Sequence, residues 1–445
     1  MIAYPLIWET TVRLDLVAPP IGAALLLVGT LVGLGLAWRY DARIVAWLFV
    51  FGATLSGLGA IVGEVSATAP YAAGLLVLGT AVLWVGRMRS WPALVLFSAV
   101  GADLAVLIAQ HRATQVDTPS PEIAVLLAVA LLVLYVGSIT AYLLKRWWRL
   151  GVVDVVQTVL AIAVGLGGAL STSREADLGT GLLCASLLVI GTVLYLLAFG
   201  VLGRDRRRCF YYVTSVALVL VLIASATLLP QPAWPWALLS IALVLAARRL
   251  GRMTLGIHAA IYSTAAGIAA GVFHYAERQW LATASESMPE LTLVAWLAVA
   301  ALALTAVLRA PDRSMAMRRI TVGVQVLLCA LVAWTLGALL IDGLRPLLPT
   351  VDQGPDPAWL ATLRTGVLAL LTVAAAGAVH LSHLAAAWVL VPVLLASGAL
   401  RLLLDDLPHG RPSTLAASFM AYGIALLLGT QLVRSARRKT ESGVA

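Results

Sequence analysis

The sequence predicts an all-α integral membrane protein, a polytopic bundle of about 15 (14 to 15) transmembrane helices with its N-terminus outside and its C-terminus in the cytoplasm. Of its 445 residues, 61% are hydrophobic and only 11% are charged, whereas about a quarter of the residues in soluble domains are charged. The mean hydropathy is +0.98. This composition excludes a water-soluble fold, and the distribution of basic residues between the apolar runs predicts the orientation.

Apolar runs of about twenty residues predict spanning helices, because backbone amides in hydrocarbon must be satisfied within their own segment. The predicted spans are 17–38, 44–64, 70–86, 91–110, 123–144, 152–171, 179–202, 210–229, 232–247, 254–273, 290–309, 319–341, 360–380, 384–404 and 413–433. The longest connections are 110–122, 274–289 and 342–359, and none is long enough to bury a core of its own. We therefore expect a single transmembrane helical domain over residues 1–445, with no separate soluble domain.

Basic residues recur at every second turn between the predicted spans. Examples are residues 145–149, 204–208 and the tail at 434–439. Because basic loops are retained in the cytoplasm, an odd number of crossings places the N-terminus outside and the tail inside. The net charge of +9 then predicts attraction to anionic lipid at the cytoplasmic face and no nucleic-acid partner. Other membrane proteins are candidate partners, and the oligomeric state is open.

The densest polar constellation lies at the predicted outer ends of the last spans. Its candidate substrate-binding residues are Arg364, Arg401, Asp405, Asp406, His409 and Arg411. Arg401 and Asp405 are four residues apart, so they share a helix face and can pair. The cluster can hold a phosphate or carboxylate through bidentate arginine contacts, with the acids and His409 placed for proton exchange. Alternatively, its ion pairs lock a helix hairpin at the membrane interface.

Two ionisable residues within predicted spans are candidates for a proton or ion relay. Asp103 is near the middle of the fourth predicted span, and His258 is one turn before Tyr262 in the tenth. Charged groups inside apolar spans are costly and are functional candidates for that reason. Hydrogen bonding in a helix contact is the alternative for Asp103, and packing is the alternative for His258.

No metal or cofactor is predicted. His380 and His383 have a spacing that can place two imidazoles on a metal, but no third ligand is evident. Phosphate-binding glycine loops, paired-cysteine motifs and nucleophile elbows do not occur in usable context. The three cysteines do not suggest a disulfide.

Two stretches, 207–275 and 364–434, carry motifs that resemble a group of bacterial polytopic inner-membrane proteins without an assigned activity. The motifs are Cys209-Phe210-Tyr211-Tyr212, Leu250-Gly251-Arg252 followed by His258 and Tyr262, Leu402-Leu403-Leu404-Asp405-Asp406, and His409-Gly410-Arg411-Pro412. The resemblance implies the inner membrane of a bacterium. It implies no substrate.

Three functions are compatible with this sequence. A transporter or flippase-like carrier for a lipid or an anionic solute fits many spans joined by short loops. A non-catalytic scaffold or accessory subunit would leave the scattered charges with structural roles. A membrane-embedded transferase acting on lipid-linked substrates is disfavoured, because its acceptor site needs a larger loop than this chain offers. The sequence therefore favours a protein that is not an enzyme, and it identifies no catalytic residue.

The predicted orientation can be tested with a single cysteine, Thr440→Cys, beside Lys439 in a chain whose natural cysteines are replaced by alanine. We expect a membrane-impermeant maleimide to label it only after the cell membrane is opened, because the basic tail is predicted to be cytoplasmic. Labelling in intact cells would contradict both the orientation and the outer placement of the polar cluster.

Overall fold

The computed structural model describes residues 3–14, 16–116, 119–144, 151–202, 207–282, 290–307, 315–351, 354–382 and 385–442. It confirms a multi-pass membrane protein of the α-helical type. In this part of the chain, 13 helical stretches are long and apolar enough to cross a membrane, and a bent helix pair makes a fourteenth. The chain divides into two compact units, Met1–Leu228 and Leu229–Ala445; the expected single domain stays a prediction.

Within the described residues, the first unit contains ten α-helices. They are α1 (Ala3–Trp8), α2 (Pro19–Arg39), α3 (Arg43–Gly63), α4 (Thr68–Met88), α5 (Pro92–Val116), α6 (Pro121–Leu144), α7 (Val152–Leu160), α8 (Gly168–Glu175), α9 (Thr180–Leu197) and α10 (Arg207–Leu228). Three π-helical segments lie between them, at Glu9–Arg13, Ala161–Gly167 and Ala198–Leu202. Together α7, the middle π-helical segment and α8 form one apolar stretch, Val152–Glu175, of spanning length.

Helix α4 is central in the first unit, where it packs against α2, α3, α5 and α6. Its Leu75, Leu78 and Val82 are buried in the core. Small residues allow close helix contacts in such bundles. A Cβ added at Gly165 would lie 2.8 Å from the carbonyl oxygen of Ala128, so the π-helical segment and α6 touch backbone to backbone.

The part of the second unit that the structure describes contains nine α-helices. They are α11 (Ala233–Leu250), α12 (Met253–Ala269), α13 (Val272–Leu281), α14 (Leu293–Ala306), α15 (Met315–Leu344), α16 (Pro357–Ser382), α17 (Ala385–Arg401), α18 (Leu407–His409) and α19 (Pro412–Ser442). A π-helical turn, Leu402–Asp406, joins α17 to α18, and a 3-10 turn, Arg345–Leu347, follows α15. Two short antiparallel strands, β1 (Thr350–Val351) and β2 (Gly354–Pro355), pair Thr350 with Pro355.

Helix α13 corrects the sequence analysis, which assigned residues 274–289 to an outer connection. The chain bends by 63° between α12 and α13, at Gly271, whose φ of +73° is a conformation that residues with a side chain rarely adopt. Beyond the bend, α13 has a buried face at Val272, Tyr275, Ala276, Gln279 and Trp280. This spacing of three and four residues is that of an amphipathic helix. The segment is therefore packed into the unit up to Leu281, while residues 283–289 lie outside the described part.

Fourteen of the 15 predicted spans correspond to helical stretches of spanning length, counting the bent pair as the tenth. The remaining one, 290–309, corresponds to α14, an apolar helix of 14 residues. Residues 308–314 are outside the described part, so the count of 15 stays a prediction. Two helices continue into predicted connections, because α5 ends at Val116 and α15 at Leu344.

The bend can be tested by comparing two glycine-to-alanine changes in the second unit. Neither Gly271 nor Gly366, which lies inside α16, has an atom within 4 Å of an added Cβ. Gly271→Ala should lower the free energy of unfolding by about 1–2 kcal/mol, because alanine is strained at positive φ. Gly366→Ala should leave stability unchanged or raise it by up to about 1 kcal/mol, because alanine favours helix. Thermal unfolding in detergent measures both changes. Equal midpoints for the two variants would contradict the requirement for glycine at the bend.

Candidate ligand-binding site

The C-terminal end of α13 is held by two arginines from neighbouring helices. Arg364 of α16 donates from Nε to the carbonyl oxygen of Gln279 at 3.0 Å and from Nη2 to that of Ala282 at 2.7 Å. Arg401 of α17 donates from Nη2 to the carbonyl oxygen of Trp280 at 2.7 Å. The last carbonyls of a helix have no partner within the helix, and they form its negative end. We call these three hydrogen bonds the α13 cap.

Arg401 is also fixed by an acid and by an aromatic ring. Its Nη2 lies 2.7 Å from Oδ2 of Asp405, as the spacing of four residues predicted. Its guanidinium carbon lies 5.5 Å from the centre of the Trp280 ring, within the range of a cation–π contact. The buried Nε of Arg401 has no hydrogen-bond partner among the described residues.

A cavity of about 650 Å³ lies against the α13 cap. Its lining comes from α13, α15, α16, α17 and the π-helical turn after α17. Arg364, Arg401 and Asp405 are its charged residues, and the other lining residues are Leu, Ala, Val and Trp with a single serine, Ser397. The cavity therefore combines an apolar wall with a compact charged group.

Asp406 faces different partners from its neighbour Asp405. It is 1% exposed. Its Oδ2 accepts a hydrogen bond from Thr365 Oγ1 at 2.5 Å, and its Oδ1 accepts one from Ser418 Oγ at 2.7 Å. The residue thus links the π-helical turn to α16 and α19, and it is not among the residues that line the cavity.

Arg411 and His409 lie beside this arrangement. Arg411 Nη1 is 3.0 Å from Oδ2 of Asp356, a buried acid whose other oxygen accepts from the backbone nitrogen of Ala358 in the first turn of α16. His409 Nδ1 is 3.0 Å from the carbonyl oxygen of Asp405, and its side chain is largely exposed. Neither residue lines the cavity. Of the six residues predicted for this cluster, three line the cavity and three do not.

Neither of the two relay candidates is among the residues that line the cavity. Asp103 is buried in the first unit, where Gln157 donates from Nε2 to its Oδ2 at 3.2 Å, so the carboxylate joins α5 to α7. His258 is buried in α12 of the second unit. Their role in a relay stays a prediction. The side chain of His380 and the whole of His383 lie outside the described residues.

The sequence analysis did not identify the residues of α13 that take part in this site. Gln279 donates from its side chain to Asp342 Oδ1 at 2.8 Å, and Trp280 donates from Nε1 to the carbonyl oxygen of Trp334 at 2.9 Å. Both residues are at most 5% exposed. Their helical spacing from Val272 onwards was the signal that could have revealed them.

Comparison of the chain with protein-family models, curated proteins and solved structures found no match.

The hydroxyl contacts of Asp406 can be tested with two changes in α16. Thr365→Val removes one of the two side-chain donors to this buried carboxylate and should destabilise the protein by about 1–3 kcal/mol. Thr372→Val is the matched control, because this threonine is equally buried but its hydroxyl binds only the carbonyl of Leu368 in its own helix. Thermal unfolding of the two variants should differ clearly; equal midpoints would contradict a stabilising role for the Thr365–Asp406 contact.

Proposed function

We propose that this chain is a carrier that moves a lipid or an anionic solute across the inner membrane of a bacterium. The single observation that carries the proposal is the cavity of about 650 Å³ that reaches Arg364, Arg401 and Asp405. Cavities of this size are typical of small-molecule sites, which pair apolar walls with a few polar groups that fix orientation. A scaffold needs no such cavity.

The charges around the cavity favour an anion. Two guanidiniums and one carboxylate sum to a charge of +1. Arginine binds phosphate and carboxylate through paired N–H donors, and hydrogen bonds to an anion are stronger than those to the neutral carbonyls of the α13 cap. Asp405 offsets part of the positive charge, which keeps binding weak enough for release, as transport requires.

The bend before α13 also supports a carrier. Discontinuous helices are frequent at transporter binding sites, where the ends of half-helices meet the ligand or the coupling ion. Here the buried C-terminal end of α13 is negative, and the arginines neutralise it. The predicted orientation assigns this end of the bundle to the outer face, so we propose an outer-leaflet or external entry for the ligand.

Transport can be tested with the purified full chain in proteoliposomes. We would follow two probes: a fluorescent phosphatidylglycerol, whose movement between leaflets is read by chemical quenching, and radiolabelled phosphate, whose uptake is counted. We expect protein-dependent movement of at least one probe, slowed by about tenfold in Arg401→Ala, because a charge-assisted hydrogen bond contributes about 1.5–3 kcal/mol.

Arg112→Ala is the matched control. Arg112 binds helix-terminal carbonyls in the first unit, donating to Val62 and Glu64 at the end of α3, and it does not line the cavity. This variant should retain the flux. No protein-dependent movement of either probe, together with Arg401→Ala behaving as the natural protein does, would contradict the carrier and favour a scaffold.

A further inference from the structure

We infer that the ligand of this cavity is a lipid with a singly charged anionic head, whose head meets Arg401 and Arg364 and one of whose chains lies in the cavity. The inference rests on the proposed function and specifies the substrate class of the same site. Three properties carry it: where the lining of the cavity is exposed, what forms its buried wall, and which donors remain at its charged group.

The cavity has exposed lining residues at Leu281 of α13 (70%), at Trp334 of α15 (38%) and along one side of α17. Val393, Ser397, Leu400 and Leu404 line it and are themselves exposed, Leu400 and Leu404 by 57% and 67%. Their spacing of four, three and four residues forms one helical stripe, which we call the mouth. The mouth lies within Trp388–His409, a stretch apolar enough to span the membrane. A ligand therefore reaches the cavity from the hydrocarbon layer, through a mouth with one polar side chain.

Another part of the cavity wall is apolar and buried. Leu368, Leu371, Leu390 and Leu394 line it and are each at most 9% exposed. An acyl chain keeps an apolar surrounding when it moves from the bilayer to such a wall. A free hydrated anion would have to lose water without compensation along most of this surface. The lining therefore discriminates against soluble anions in favour of amphiphiles.

Arg364 and Arg401 have N–H groups that can still donate hydrogen bonds to an anionic lipid head. Arg364 uses Nε and Nη2 in the α13 cap, and no further hydrogen bond joins it to the described residues. Arg401 uses Nη2, while its buried Nε has no partner among them. Unpaired buried donors are rare and call for an acceptor. The excess charge of +1 matches one negative charge, such as the phosphate diester of phosphatidylglycerol.

The volume limits the occupant to part of a lipid. Sites of about 300–1,000 Å³ hold one small organic molecule, and the cavity is within this range. One chain and the neighbouring phosphate are therefore accommodated, and a second chain stays outside the mouth among the bilayer lipids.

The inference can be tested by photo-crosslinking with the full chain in nanodiscs of phosphatidylcholine. The probe is phosphatidylglycerol with a diazirine in one chain, and the matched probe is phosphatidylcholine with the same chain. Crosslinked peptides are mapped by mass spectrometry. We expect phosphatidylglycerol to label the peptides that carry Leu331 and Leu394 about tenfold more than phosphatidylcholine does. Arg401→Gln should abolish this preference, and inorganic phosphate should not compete.

A second pair of variants keeps the test valid if Arg401→Gln fails to fold. Ser397→Trp places an indole in the mouth and leaves every arginine contact in place, so it should abolish labelling of the cavity peptides. Ser186→Trp is its matched control: Ser186 is an exposed serine of the apolar helix α9, and its hydroxyl binds a carbonyl of its own helix, as that of Ser397 does. This variant should label as the natural protein does.

Equal labelling by the two lipid probes, or full competition by phosphate, would overturn the inference. These outcomes are distinct from failure of the carrier. Phosphate uptake without cavity labelling would overturn the lipid assignment and leave the carrier standing. Selective labelling without movement of either transport probe would uphold the lipid site and refute the carrier.

Discussion

The candidate site depends on the binding of helix-terminal carbonyls by two arginines. In a bilayer, an unsatisfied carbonyl costs several kcal/mol, and no water is present to bind it. Helix α13 ends inside the second unit, where Gln279 and Trp280 are almost fully buried, so its last carbonyls need donors from the protein. Arg364 and Arg401 provide them. The same contacts favour the buried guanidiniums, because each positive charge meets the negative end of a helix dipole.

The two roles predicted for the polar cluster, binding an anion and locking helices together, are compatible in this arrangement. A guanidinium has five N–H donors in a rigid fork, so one side can bind carbonyls while the other lies toward the cavity. In the first unit, two arginines bind backbone carbonyls of helices without lining this cavity. Arg112 donates to the carbonyls of Val62 and Glu64 at the end of α3. Arg89 donates to the carbonyl of Trp38 in α2. What distinguishes Arg364 and Arg401 is the adjoining cavity with apolar walls.

The sequence predicted the features that the bilayer itself imposes. Span positions follow from the length and composition that hydrocarbon demands, and the Arg401–Asp405 contact follows from helical spacing. Helix α13 escaped because its Glu277 and Arg278 lower the local hydropathy, so only its periodicity marked it as buried. The different partners of Asp405 and Asp406 could be identified only from the structure, since Asp406 binds Thr365 of α16 and Ser418 of α19, 41 and 12 residues away in sequence.

Hydrogen–deuterium exchange of the purified protein tests the α13 cap most directly. We would compare the natural chain with Arg364→Gln, using peptides that cover α13 and, as an internal reference, peptides that cover α4 in the first unit. If the guanidinium holds the end of α13, the variant should lose protection in the α13 peptides while those from α4 exchange as before. Unchanged protection of α13 in the variant would contradict the account.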